Sequence, residues 1–184
     1  MKDLKDRLIE YILNEEVDTF NETVESESDA VKGMDFSEGA FGGLNLPNIN
    51  LSSLDLTGSD FSESNLEGAD ITESTLVSVN FTGANLQYCN FNNSNLSGAI
   101  LTCSNLTETD FSEANFNGTD LRETDLSEAD LSTSYNLSQT KFDKFTIWPD
   151  SNNLPDDFDI DTSKTIDELE DFQDDLFGGE IEDN

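Results

Sequence analysis

Residues 84–101 read ANLQYCNFNNSNLSGAIL, and they carry the pattern that decides the fold. Leu86, Phe91, Leu96 and Leu101 lie five positions apart. The residue two places before each of them is small, and the residue one place before is Asn in three of the four cases. The same spacing of Leu, Phe or Ile runs without a miss for twenty positions, from Phe36 to Leu131.

A period of five fits neither regular secondary structure. On an α-helix, five steps leave a net rotation of about 140°, so the apolar residues would cover every face. On a straight strand, an odd step sends successive side chains to opposite sides. All twenty residues can share one interior only if the chain bends once per pentad in the same direction. The pattern therefore predicts an all-β solenoid.

Columns of like residues indicate how many sides each coil has. With twenty residues per coil, the interior column contains only Leu, and the outward column beside it is Asn until its last member: Leu46, Leu66, Leu86, Leu106 and Leu126; Asn45, Asn65, Asn85, Asn105 and Asp125. Stacked strands favour such columns because like side chains lie roughly 4.8 Å apart. A coil of fifteen residues would mix Leu with Phe. We expect four sides and five to six coils.

Three segments resemble the A-[DN]-L-x-x motif of the pentapeptide-repeat family: Ala-Asn-Leu-Gln-Tyr (84–88), Ser-Asn-Leu-Ser-Gly (94–98) and Glu-Ala-Asp-Leu-Ser (128–132). The resemblance implies a right-handed quadrilateral β-helix, with the central Leu or Phe and the small residue two places before it pointing inward. A few members of that family mimic DNA and bind type II topoisomerases. Many others occur in cyanobacteria without an assigned activity, and the resemblance is consistent with a cyanobacterial source.

The N-terminal residues 1–32 predict a helical cap and loop in front of the β-helix. Lys2–Asn14 has its apolar residues on one helical side, including Leu4, Leu8, Tyr11 and Ile12. Asp18 is placed to cap a second short helix that carries Phe20. Residues 21–33 are polar and predict a loop. The β-helix is then expected over residues 33–150.

The repeats continue past Leu131 in altered form. We predict one extra residue near Tyr135, after which the interior positions are Leu137, Phe142 and Ile147. Tyr135, Thr140 and Phe145 then occupy the position two places earlier. Trp148 is expected to plug the end of the stack, since an aromatic–Pro segment resembles the ending of many family members.

The C-terminal residues 151–184 predict an acidic linker followed by an amphipathic helix over residues 165–177. That helix has Ile166, Leu169, Leu176 and Phe177 on one side, and it is either a second cap or a segment that folds on binding. An EF-hand-like spacing overlaps it, at Asp157, Asp159, Asp161, Ser163, Thr165 and Glu168. Thr162 stands where the loop needs Gly, and Lys164 lies inside it, so no metal site is predicted.

Charge limits the classes of partner. The chain has 41 acidic and 8 basic residues, no His, and a formal net charge of −33. This excludes direct binding to nucleic acid, which needs clustered Lys and Arg, and favours high solubility or a basic partner. No apolar run approaches a membrane span and the N-terminus lacks a signal region, so we expect a cytoplasmic protein. Cys89 is predicted inward and Cys103 outward, both as free thiols.

The sequence lacks the features of an enzyme. Without His there is no imidazole base, no Gly-x-Ser-x-Gly elbow occurs, and a narrow Leu/Phe interior leaves no substrate pocket. We predict a non-enzymatic protein-interaction module without a cofactor, a monomer or weak dimer with a protein partner. One alternative is a DNA-mimicking modulator of a type II topoisomerase such as gyrase. The second is a Ca²⁺- or partner-responsive acidic tail.

One stretch of the repeat region has no charged residue. It lies between Glu73 and Glu108, and we call residues 74–107 the uncharged band. Its positions that are expected to point outward include Val77, Tyr88 and Ile100, which fall on three different sides of the coil. We predict these three residues as partner contacts, although isolated exposed apolar residues are ordinary on soluble proteins.

Overall fold

The computed structural model describes residues 2–158, and most of this part of the chain forms a β-helix. Residues twenty positions apart pair as parallel β-bridges, in an unbroken series of seventeen pairs from Asp35–Asp55 to Asn115–Tyr135. Each bridge is one residue long, so no side forms a longer strand within residues 2–158. The predicted coil of twenty residues is confirmed. The column that begins at Asp35 passes through six coils, within the predicted five to six.

Backbone hydrogen bonds join each coil to the next. The N–H of Leu66 donates to the carbonyl of Asn85 at 2.8 Å, and the N–H of Asn85 donates to the carbonyl of Ser64 at 2.9 Å. The same exchange repeats at each bridge along the rod. The coils thereby satisfy one another's backbone groups, which a single coil could not do alone.

The interior is filled by the residues that the pentad spacing predicts. All twenty positions from Phe36 to Leu131 are at most 2% exposed. Their aromatic members stack along columns, with ring centroids 5.1 Å apart for Phe41–Phe61 and 5.6 Å apart for Phe61–Phe81. Ala69, Ala84, Cys89 and most of the other small residues two places earlier are also buried.

The Asn or Asp that precedes most of the interior residues closes the turn that follows. The Asp60 carboxylate accepts the backbone N–H of Ser62 at 2.9 Å, and Asn90 does the same for Asn92 at 2.9 Å. This local bond from a side chain to the amide two residues on is the Asx geometry that favours turns. Asn side chains also bond between coils, with Asn65 donating to Asn45 at 2.8 Å.

Nineteen successive turns, from the turn at Glu38 to the turn at Glu128, each contain one residue with positive φ, two places after the interior residue. Ser78 has φ 58° and Gly98, one coil later in the same column, has φ 68°. For a residue with a Cβ, this left-handed conformation is unfavourable by roughly 1–2 kcal/mol. Many turns nevertheless carry Glu, Ser or Asn there, so turn conformation is imposed by the stacked coils.

Exchanging residues within this turn column gives a matched stability test. We expect Ser78→Gly to raise the free energy of unfolding by up to about 1 kcal/mol, because it relieves the left-handed strain. We expect Gly98→Ala to lower the free energy of unfolding by about 1 kcal/mol, because Ala is strained in the left-handed conformation. A clash adds nothing to this cost, since a Cβ there meets only the Ser78 Oγ at an ordinary 3.5 Å. Urea denaturation measures both. Equal stability of the two variants would contradict the turn conformation.

Three helices precede the rod: α1 (Leu4–Leu13), α2 (Val17–Ser26) and α3 (Ser28–Val31). Leu8, Ile12 and Phe20 are fully buried and belong to the same apolar cluster as the first coils. Asn21 binds the first coil twice, donating to the carbonyl of Asn48 at 2.9 Å and accepting the N–H of Asn50 at 2.8 Å. These contacts occupy backbone groups on the open edge of the first coil.

The N-terminal prediction is correct for α1 and partly wrong after it. α1 lies within the predicted Lys2–Asn14, and Asp3 caps it by accepting the N–H of Asp6 at 2.8 Å. Asp18 does not cap α2, since it lies inside the first turn and the flanking Glu16 makes no side-chain capping bond. The loop predicted for residues 21–33 is mostly helical, because the buried Val24 and Val31 hold α2 and α3 against the core.

The predicted extra residue near Tyr135 is confirmed. Asn136 has φ 64°, and the bridge that follows it joins Asp120 to Lys141, twenty-one residues apart instead of twenty. Tyr135 itself pairs with Asn115 and points outward at 51% exposure. The expectation that Tyr135 faces inward is therefore wrong, because Ser134 fills that position.

A second extra residue follows, which the spacing did not predict. The next bridge joins Asp125 to Ile147, twenty-two residues apart. Ile147 is thus an outward residue with 51% exposure, and Trp148 occupies the interior position. Phe145 is 58% exposed, so its inward placement is also wrong. The added residue lies in the turn after Phe142, where Asp143 accepts the N–H groups of Phe145 and Thr146.

The last coil extends beyond the predicted boundary at residue 150. The 3₁₀ helices Leu137–Gln139 and Ser151–Asn153 replace simple turns in it, and the N–H of Leu131 donates to the carbonyl of Asn153 at 2.8 Å. Trp148 lies 5.3 Å from the ring of Phe142 and 5.2 Å from that of Phe158, at the position predicted for a plug. The helix predicted over residues 165–177 lies outside the described residues.

Candidate interaction surface

The outer surface of the rod is the candidate functional site, because the interior positions are closed by packed side chains. Two open clefts lie beside the N-terminal helices, one of them lined by Glu15, Asp18, Asn21, Asn45 and Asn48 among others. Neither extends into the Leu and Phe columns. A third open cleft lies on the first coils, lined by Lys32, Asp55 and Glu73 among others, and the rod beyond it presents a patterned exterior.

The uncharged band lies in the middle of this exterior. Tyr88 is 49% exposed in a turn with φ 62°, and Ile100 is 41% exposed on a flat side, bridged to Asn80 and Asp120. Val77 is half-buried in another turn. The three residues occupy different columns, as their spacing predicts, and do not form one continuous patch. Their role as partner contacts stays a prediction.

A ladder of amides runs through the uncharged band. Asn85 donates its side-chain N–H to Asn65 at 3.0 Å, and Asn105 donates to Asn85 at 3.5 Å. On a second side Asn115 donates to Asn95 at 3.1 Å. These bonds hold the outward amides in fixed orientations, so the band presents a rigid polar surface whose donors and acceptors are partly occupied.

Acidic residues outside the band also serve the fold. Hydrogen bonds from the backbone N–H and the hydroxyl of Ser62 hold the pKa of Asp60 below its ordinary value. The Asp35 carboxylate is held in the same way by Ser37, whose hydroxyl and N–H lower its pKa. Part of the negative charge is therefore structural, since each of these carboxylates closes a turn. At Tyr88, a hydrogen bond with the Glu108 carboxylate raises the phenol pKa.

Asp120 and Arg122 form the best-defined ion pair on the rod. The guanidinium donates twice, from Nε to Oδ1 at 2.9 Å and from Nη2 to Oδ2 at 2.7 Å. Asp120 is only 7% exposed. Burial raises its pKa, but the hydrogen bonds and the charge of Arg122 outweigh burial, so the pKa of Asp120 lies below its ordinary value.

The pair predicts a pH-dependent stability difference. At neutral pH we expect Arg122→Ala to lower the free energy of unfolding by about 1.5 kcal/mol, the scale of a hydrogen bond to a charged group. Because the pKa of Asp120 is lowered in the folded protein, its carboxylate contributes fully to the free energy of unfolding above the unfolded pKa of about 3.9. That contribution is lost as the pH falls through the folded pKa.

Urea denaturation at a series of pH values measures this difference. In an Asp120→Asn background, Arg122→Ala should lower the free energy of unfolding clearly less at neutral pH, and the size of this loss should not change with pH. Asn is a suitable control because Asn80 occupies the same column two coils earlier and closes its turn in the same way. A cost that stays constant down to acid pH in the original background would contradict the ion pair.

The two cysteines are free, as predicted, with Cys89 buried and Cys103 exposed. Burial raises the pKa of Cys89 to about 12. Within residues 2–158 there is no group of three or more His, Cys, Asp or Glu placed to hold a metal ion. Of the EF-hand-like residues only Asp157 is described, and it is exposed. Asp159, Asp161, Ser163, Thr165 and Glu168 lie outside the described residues.

Comparison with known families matches the same part of the chain. The family described as "Pentapeptide repeats" matches in eight copies, over residues 35–72, 64–102, 74–112 and 104–145. The chain belongs to the pentapeptide-repeat family. Proteins of this family fold as right-handed quadrilateral β-helices. A comparison with curated proteins found no significant match.

Solved structures of pentapeptide-repeat proteins are similar to this chain. Rfr23 from the cyanobacterium Cyanothece 51142 has 23% identity and a TM-score of 0.61, covering 71% of this chain and 98% of its own. HetL from the cyanobacterium Nostoc, involved in heterocyst differentiation regulation, has 25% identity and a TM-score of 0.40, covering 66% and 56%. A protein of the Arabidopsis thaliana thylakoid lumen has 23% identity and a TM-score of 0.42, covering 58% and 71%. The first of these supports the fold.

The structure adds surface features that spacing alone did not reveal. Tyr135, Phe145 and Ile147 form exposed apolar sites on the last coil, beyond the band where such residues were predicted. The only sequence signal for them was the departure from the pentad spacing after Leu131. Among residues 2–158, no helix of this pentapeptide-repeat protein is long and apolar enough to cross a membrane.

Proposed function

We propose that this pentapeptide-repeat protein is a non-enzymatic interaction module that binds another protein along the outside of its rod. The packed interior carries this proposal, since twenty successive Leu, Phe and Ile residues fill the space where a ligand would have to enter. Rigid repeat proteins offer an extended surface to their partners. We further propose a right-handed rod with α1 and α2 as its cap, acting in the cytoplasm as a monomer or weak dimer.

We place the partner contact on the uncharged band. Elsewhere on the rod a partner would meet a high density of carboxylates, whereas residues 74–107 present amides, hydroxyls and the exposed Tyr88 and Ile100. A contact centred there desolvates fewer charges than a contact elsewhere on the rod, and desolvation of charge is a costly step at an interface. The partner that fits is a protein surface with few charges, held by shape and hydrogen bonds.

Capture of partners at two salt concentrations tests this proposal. We expect one protein to be retained by the full-length chain in lysate of its source organism at both about 0.1 M and about 0.5 M NaCl, where the Debye length falls from about 10 Å to about 4 Å. Ile100→Asp should abolish retention, because it places a charge within the contact. Ala40→Asp is the matched control, since residue 40 is exposed in the same column outside the band.

Other results favour the alternatives. Capture that disappears at high salt, and that Ile100→Asp leaves unchanged, would contradict the band and favour the DNA-mimicking modulator of a type II topoisomerase. The break in carboxylate spacing across residues 74–107 argues against that alternative, because phosphates in a duplex recur without interruption. Capture that requires Ca²⁺ would favour the acidic tail and would also contradict the band.

A further inference from the structure

Within residues 2–158, nothing covers the last coil as the other coils are covered. In the preceding coil the interior residues Leu121, Leu126 and Leu131 are fully buried. Their counterparts one coil later, Phe142 and Trp148, are only half-buried. Neither the N–H of Phe142 nor that of Trp148 donates a hydrogen bond to any group within residues 2–158. In the described part of the chain, this terminal face therefore combines an apolar centre with backbone donors that have no partner there.

The cations of the rod are concentrated at the same end. Between Gly33 and Phe158 the chain has three basic residues, Arg122, Lys141 and Lys144. Lys141 follows Asp120 in its column, and Lys144 lies in the next turn, with its Nζ 5.1 Å from the ring centroid of Phe145. Lys141 and Lys144 thus lie beside the terminal face, on a protein that is otherwise strongly acidic.

The rest of the chain starts from this face. Phe158 packs on Trp148 at 5.2 Å, and 26 residues follow it. Residues 159–184 contain eleven acids and one Lys, and their apolar residues include Ile166, Leu169, Leu176 and Phe177 at helical spacing. Six residues separate Phe158 from Thr165, which is enough chain, roughly 20 Å when extended, to return to the coil that it leaves.

We propose that residues 165–177 dock on the terminal face of their own chain. Their apolar side covers Phe142 and Trp148, and their carboxylates face Lys141 and Lys144. The terminal face supplies what this segment lacks, an apolar partner and positive charge, and the connection makes the local concentration high. This inference concerns the end of the rod and is independent of the proposed band contact.

Trp148 reports on docking in the full-length chain, because it is the only tryptophan. We expect acrylamide to quench it weakly. In the variant Leu169→Asp/Leu176→Asp the quenching constant should rise at least twofold, since an acidic substitution removes the apolar side of the segment. Lys141→Glu/Lys144→Glu should raise it in the same direction. Lys2→Glu/Lys32→Glu is the matched control, with the same change in charge at the other end, and it should leave quenching unchanged.

Two outcomes would overturn the proposal. The first is a quenching constant that is the same in the original chain, in the Leu169/Leu176 variant and in the Lys141/Lys144 variant. The second is protection of Trp148 that disappears on dilution, which would assign the terminal face to a second copy of the chain. Circular dichroism of each variant shows whether the rod remains folded, and amide exchange at Phe142 and Trp148 provides a second measure of cover.

Discussion

Truncating Phe81 to Ala is expected to cost about 3–5 kcal/mol of unfolding free energy, the range for a buried Phe that leaves a cavity. Phe81 is fully buried, with its ring 5.6 Å from Phe61 in the coil before and 6.1 Å from Phe91. The stacked coils cannot close the gap, because the backbone bridges fix their spacing. Urea denaturation followed by circular dichroism measures the loss.

Phe145→Ala is the matched control for this truncation. It removes the same atoms from a side chain that is 58% exposed in the last coil, and we expect a change within about 0.5 kcal/mol. Because stability in a solenoid is roughly a sum over neighbouring coils, Phe81→Ala should also weaken the middle of the rod locally. A small effect of Phe81→Ala, equal to that of Phe145→Ala, would contradict the closed interior.

Removing one complete coil should leave a folded rod, whereas removing one residue more should not. Deletion of residues 86–105 joins Asn85 to Leu106. Leu106 then takes the place of Leu86, which lies in the same column one coil earlier. Every later residue keeps its interior or outward position. We expect a cooperative unfolding transition with somewhat lower stability, since one coil's contacts are lost.

Deletion of residues 86–106 is the sharper case. It leaves one side with four residues, and because side chains alternate along the chain, that side cannot place both its small residue and its central residue inside. The rod tolerates an added residue at Asn136, where the extra backbone takes a left-handed conformation, but a missing residue cannot be replaced. We expect no cooperative transition. Equal behaviour of the two deletions in urea would contradict the twenty-residue coil.

The interior of the rod was predictable because every fifth residue from Phe36 to Leu131 must be apolar to be buried there. The column of Leu at 46, 66 and 86 predicts a coil of twenty residues, and the bridges confirm it. The ends were less predictable because this requirement weakens there. Ile147 and Trp148 are adjacent and both apolar, so spacing could not decide which faces inward, and the turn after Phe142 decided it.

The N-terminal helices show a different limit. Between Asn21 and Val31 few residues are apolar, and a polar stretch predicts a loop when it is considered alone. The first coil changes this, because Asn21 satisfies its open edge and buried Val24 and Val31 hold the helices in place. Tertiary contact, which local spacing does not contain, decided the helical conformation.

The candidate site was predictable in its charge and less so in its chemistry. The uncharged band is evident from the sequence, and the structure leaves Tyr88 and Ile100 exposed within it. The sequence did not reveal that Asp and Asn close the turns. Because the pKa of Asp60 is lowered by the turn itself, its charge has a structural reason that does not require a basic partner.

The most direct test of the band contact is photo-crosslinking in lysate of the source organism, with a benzophenone side chain placed at residue 88 or residue 100 of the full-length chain. Residue 128 shares the turn column of Tyr88, and residue 60 shares the column of Ile100; both lie outside the band and serve as controls. We predict that positions 88 and 100 attach to the same protein at low and high salt, and that positions 60 and 128 do not. Crosslinks confined to positions 60 and 128, and lost at high salt, would contradict a contact at the uncharged band.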